Sequence, residues 1–108
     1  LNRAVLDFNL TTPPDYAIVD GIVGLEGDGP IRGTAVDVGV IVVGTNAPAV
    51  DATATRIMGL RPESIDYLRR AAGWLGPIGE SAVEQRGETI ASVRTPFEVL
   101  RHQALLTL

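Results

Sequence analysis

Apolar positions along this chain follow two spacings. Tyr16, Ala17, Ile18 and Val19 run uninterrupted up to Asp20, and Val36-Asp37-Val38-Gly39-Val40-Ile41-Val42-Val43 is dominated by β-branched residues that suit a pleated surface. Both read as strands. From Val38 onward the second lacks alternation, which predicts a central strand covered on both faces, as in an α/β sheet. Helical spacing governs the middle of the chain. Val50, Ala54, Ile57 and Met58 fall on one side of a helix expected over residues 47–58, with Asn46 as N-cap, Pro48 in the first turn and Gly59 just past the end. A second helix is expected over residues 62–72, burying Ile65, Leu68 and Ala72 and pairing Asp66 with Arg70 on its outer side.

The flanks are less regular. Ala4, Val5 and Phe8 have a short helical spacing that suits an extended lead-in equally well, and Thr11-Thr12-Pro13-Pro14-Asp15 ends it. Residues 73–79 read as loop from their glycines and proline. Residues 82–86 suggest a third short strand, residues 89–94 fit strand or extended coil, and Thr95-Pro96 suits the start of a last helix over residues 97–105. The expected fold class is therefore α/β, with a small mixed or parallel sheet of three to four strands and two to three helices. The 108 residues read as one domain or subdomain. A start at Leu1 and an apolar end at Leu105-Leu106-Thr107-Leu108 suggest a piece of a longer protein, with apolar surface left for missing neighbours or a homo-oligomer.

Composition removes several chemistries. All nine basic residues are Arg, so a P-loop lysine and Schiff-base chemistry are excluded within this segment. With no Cys, so are disulfides, thiol catalysis and iron–sulfur ligation. A single histidine, His102, cannot make a multi-histidine metal site. A net charge of −4 argues against nucleic acid as a partner. No apolar run is long enough to span a bilayer and no signal peptide is evident, so no membrane partner is expected.

What remains is a stretch of oxygen ligands and glycines, Asp20-Gly21-Ile22-Val23-Gly24-Leu25-Glu26-Gly27-Asp28-Gly29-Pro30, read as a loop between the two strands. Glycine permits positive φ and close approach to the main chain, and carboxylates bind hard cations. Ile31 to Ala35 reads as more loop, with Gly33 as a hinge. Gly44-Thr45-Asn46-Ala47-Pro48-Ala49-Val50-Asp51 forms a second constellation, in which a strand turns into a helix N-terminus able to attract an anion. Each acid also has an ordinary explanation: an Asx-turn for Asp20, surface exposure for Glu26, and stabilisation of its own helix for Asp51. If the strands are parallel, Asp20, Glu26 and Asp51 can converge at one sheet edge. If they are antiparallel, the two motifs separate.

These residues also carry a resemblance. Residues 16–22, then Gly24-Leu25-Glu26-Gly27-Asp28-Gly29-Pro30, then residues 44–52 and Ile57-Met58-Gly59 resemble the C-terminal half of the family called domain of unknown function 362, over residues 14–87. The resemblance implies a cytoplasmic protein, bacterial or archaeal and longer than this chain, in a family often described as iron–sulfur proteins because ferredoxin-like cysteine modules accompany the domain. It brings no cluster to a segment without cysteine. It implies that Asp20, Glu26, Gly27, Gly29, Pro30, Asn46, Pro48 and Asp51 form the family's site.

Two functions compete. In the first, the chain is part of an enzyme: Asp20, Glu26 and Asp51 hold Mg²⁺ or Mn²⁺ and supply a general base, while Gly27, Gly29, Pro30, Asn46 and Pro48 shape a pocket for a small anionic ligand. In the second it is a binding or scaffold domain that docks onto an iron–sulfur redox module or a second subunit. A Rossmann-type nucleotide loop fits less well, because the glycines lack the G-x-G-x-x-G order and no helix follows them directly.

Overall fold

The computed structural model describes residues 2–99. Among these, the chain forms four α-helices and one two-stranded antiparallel sheet: α1 (Asn2–Thr11), β1 (Ala17–Asp28), β2 (Arg32–Gly44), α2 (Ala47–Ile57), α3 (Asp66–Ala71) and α4 (Ile90–Val93), with single 3₁₀ turns at Pro62–Ser64 and Glu80–Ala82. It is a mixed α/β architecture, but the expected sheet of three to four strands is corrected to a hairpin. The expected strand at residues 82–86 is instead the end of a 3₁₀ turn followed by irregular chain. Residues 90–93 are helical, with the Thr89 side chain capping the Ser92 N–H. Residues 97–99 are not helical; the rest of the expected last helix, His102 and the apolar end lie outside the described residues.

The largest correction concerns the glycine-rich stretch, which is strand and not loop. β1 runs through Gly21, Gly24 and Gly27 to Asp28, turns at Gly29-Pro30-Ile31, and pairs with β2 from Asp28 opposite Arg32 back to Ala17 opposite Gly44. Residues 32–35, expected as loop, are the first part of β2. Two residues of β2, Val38 and Gly39, lie opposite Ile22 alone, so β2 carries a bulge. Gly39 takes φ +76°, a conformation that a side chain would strain, which is why the bulge falls there.

The covered side of the hairpin changes at the bulge. At the open end Ala17, Val19, Gly21, Val40, Val42 and Gly44 are half-buried, while Ile18, Asp20, Ile22, Ile41 and Val43 are exposed. Beyond it the pattern trades sides: Gly24, Glu26 and Val36 are covered and Val23, Leu25, Ala35 and Asp37 are bare. The expectation of a central strand buried on both faces is thereby corrected; β2 alternates along most of its length.

α2 forms where the sequence places it. Asn46 caps it by accepting the Ala49 N–H at 3.1 Å, Pro48 sits in the first turn, and Gly59 follows the C-cap Met58 with φ +79°. Its buried side is Pro48, Val50, Ala52, Thr53, Arg56 and Ile57; Ala54 and Met58, expected there, are only half-buried. α3 begins four residues later than expected, after the 3₁₀ turn, and pairs Asp66 with Arg70 at 3.1 Å as its spacing predicts. The core lies where these helices meet the loop that follows them: Ala52, Leu68 and Ile78, ringed by Ile65, Tyr67 and Ala72. Leu68 is 1% exposed, and its burial contributes about 2 kcal/mol.

Candidate functional site

Antiparallel pairing separates the residues that parallel strands would bring together. Asp20 and Glu26 are six residues apart along one strand, about 20 Å at the usual rise. Asp20 lies on the bare side of the open end opposite Ile41, and its Oδ1 accepts the Ile22 N–H at 3.1 Å beside the bulge, a local turn-like bond. Gly29 and Pro30, joined by a cis peptide bond, occupy the hairpin turn. Asp51 is on α2, on the side that meets α1 and α3, where it lines a small recess with Val5, Ala47, Pro48 and Tyr67. Among the described residues no group of three His, Cys, Asp or Glu is placed to hold a metal ion.

Each of these side chains has work within the fold. Glu26 Oε2 accepts the Glu98 N–H at 2.7 Å, and the Gly27 N–H donates to the Glu98 carbonyl at 3.0 Å. Just before Glu98, Thr95 and Phe97 donate their N–H groups to the carbonyls of Ile57 and Met58, at 2.8 and 2.9 Å. Residues 95–98 therefore strap the end of α2 to the middle of β1. The Phe97 ring lies on Gly24, where a Cβ would overlap it. The glycine-rich stretch is a dock for this strap. Its signal in the sequence is Gly24 and Glu26, but the partner is more than seventy residues away.

Asn46 is similarly occupied. Its Oδ1 caps α2 and its Nδ2 donates to the Leu75 carbonyl at 3.2 Å, so one amide fixes both the helix start and the loop after α3. Pro48 has no N–H and the Ala49 N–H is taken by the cap, which leaves little of the helix start to face an anion. Asp51 lies beyond the first turn of α2 and so acts on α3 instead of on its own helix dipole: Tyr67 Oη donates to its Oδ2 at 3.1 Å.

That pair has a pH signature. Burial raises the Asp51 pKa, and the Tyr67 hydrogen bond pulls it partly back. Because the folded state then binds the proton more readily than the unfolded chain, the contribution of Asp51 to stability is fullest in acid and is lost as pH rises through its folded pKa. Burial first, and then the Asp51 charge and hydrogen bond, push Tyr67 up to about 12, so its contribution is present below its usual 10.0 and is lost between there and about 12. Replacing Tyr67 with Phe should raise the Asp51 pKa further and flatten the loss of stability above about pH 10. It should cost about 1 kcal/mol at neutral pH. Carboxyl titration by NMR and unfolding midpoints across pH check both.

Two features carry weaker signals in the sequence. Arg56, 7% exposed, donates through Nη2 to the Ile78 carbonyl and lies 3.9 Å from Glu63. Its position between Thr53 and Ile57 on the buried side of α2 is the one available signal. The second is a cleft of about 620 Å³ lined by residues 39–44 of β2, by Ala49, Val50, Thr53 and Ile57 of α2, and by residues 82–88. Asn46 is the sole predicted site residue among its walls. No helix among the described residues is long and apolar enough to cross a membrane.

Fold and site together define a small α/β domain in which a long β-hairpin is held against one helix by a strap from later in the chain. The family described as Domain of unknown function (DUF362) matches residues 1–56, just over half of the 108, and the chain belongs to that family. The match takes in residues 1–13, which lie outside the resemblance, and ends within α2 instead of extending to residue 87; it carries neither the C-terminal placement nor the iron–sulfur association. No curated protein and no solved structure matches the chain.

Proposed function

We propose that this chain is a non-catalytic assembly domain, whose hairpin is covered in the native protein by a partner surface. The observation that carries the reading is the bare side of the open end, where Ile18, Ile22, Ile41 and Val43 cluster around Asp20, with Ile18 65% and Ile41 61% exposed. A two-stranded hairpin is marginal by itself, and a contiguous apolar face on one marks a contact surface. The face has a carboxylate at its centre and no basic residue among those five, so the complementary surface is apolar with a cationic group. A second copy of the same face would set Asp20 against Asp20, which makes a different surface the better match.

The test is the double substitution Ile18→Glu and Ile22→Glu. In the isolated domain both positions face water, and stability should change by no more than about 1 kcal/mol for the pair. In the native protein the same change should cost about 2 kcal/mol or more, read by thermal unfolding, because two charges would be buried in the contact. An equally small effect in both settings overturns the reading.

A further inference from the structure

We infer that the cleft beside β2 is a peptide site, in which an extended segment of another polypeptide adds to the hairpin as a third strand. The inference does not rest on the apolar face proposed above; it uses the edge of the hairpin.

Three observations locate it. First, the cleft is lined by residues 39–44 consecutively, both the half-buried Val40 and Val42 and the exposed Ile41 and Val43, and by no residue of β1. A cavity that meets successive residues of a strand, whose side chains alternate between faces, runs along its edge. Second, that edge is unpaired: among the described residues β2 has β1 as its sole strand neighbour, and no backbone hydrogen bond joins residues 39–44 to anything outside the hairpin. Every second residue of such a strand turns its N–H and C=O outward, which is the recognition surface for an added strand. Third, the same cleft is lined by residues 82–88 and floored on α2 by Ala49, Val50, Thr53 and Ile57. Its volume of about 620 Å³ suits one short extended segment and is far smaller than a second hairpin, so a second copy pairing through β2 is not the occupant.

The chemistry of the segment follows from the walls. Six residues of edge measure about 20 Å, enough to pair five or six residues. The floor offers Ala, Val, Thr and Ile, so alternate side chains facing it are small or medium apolar ones. On the rim Glu84 is paired with Arg86 at 2.6 Å, while Glu88 has no ion pair among the described residues. The rim is thus net negative, which favours a segment with a cationic residue and disfavours an acidic one.

The probe is a pool of seven-residue peptides with Val, Ile or Leu at positions two, four and six, any residue except Asp and Glu elsewhere, and blocked ends. It is added to the native protein at millimolar total concentration. Amide hydrogen exchange should slow at residues 39–44 by tenfold or more, with little change on β1. A matching pool N-methylated at every residue has no N–H to give the ladder and should give less than a tenth of that protection. Protection equal with both pools, protection centred on Ile18 and Ile22, or no protection at residues 39–44 overturns the inference. The Ile18→Glu and Ile22→Glu double variant should bind the pool as the parent does, so the two proposals fail separately.

Discussion

Substituting Gly24 with Val should lower the stability of this domain by about 3 kcal/mol, because the new side chain would occupy the place of the Phe97 ring. Phe97 is not free to yield. Its N–H is bonded to Met58, and the next residue is held by Glu26 and Gly27, so displacing the ring strains the hydrogen bonds on either side of it. Thermal unfolding should show a fall of roughly 12 °C or more, at about 4–8 °C per kcal/mol for a domain of this size. Phe97→Ala combined with Gly24→Val should recover part of the loss by removing the overlap, which ordinary damage to the strand would not do. If Gly24→Val is tolerated while Glu26→Ala abolishes a ligand's binding, the stretch is a site after all.

Arg56→Met should cost about 2–4 kcal/mol, the second large effect. The guanidinium is buried and serves the Ile78 carbonyl, which sits in the core beside Ala52 and Leu68. Met fills similar space but donates nothing, so that carbonyl is left buried without this donor. The distant Glu63, which is largely exposed, adds little, and Glu63→Gln should change stability by less than about 0.5 kcal/mol. Urea unfolding of the two variants separates the hydrogen bond from the ion pair.

α2 is legible in the sequence because its signals are local: a cap, a proline in the first turn, a helical apolar spacing and a glycine at the end all lie within or beside the helix. β1 is not, for the opposite reason. Gly21, Gly24 and Gly27 interrupt an apolar run and look like loop, yet Gly24 is fixed by a ring more than seventy residues away and Glu26 by a backbone amide at a similar distance. Glycine reports that something comes close without saying what. Strand direction, on which convergence of Asp20 and Asp51 turns, depends on whether residues 21–35 cross over or fold back. Residues that read as loop in fact continue both strands to a three-residue turn, and that leaves antiparallel pairing as the outcome. Asn46 and Asp51 stand out in the sequence as polar positions, and each holds one element to another.

The DUF362 match ends at residue 56, one residue before α2 does, and this has a practical meaning for any truncation of this chain. The segment that establishes kinship contributes β1, β2 and nearly all of α2, but the groups that complete it come later: Leu68 and Ile78 against Ala52, Leu75 on Asn46, and Phe97 on Gly24. A polypeptide cut at that limit would keep every residue of the match and lose the surfaces those residues meet. Kinship and foldability have different borders here, and the second lies beyond Phe97.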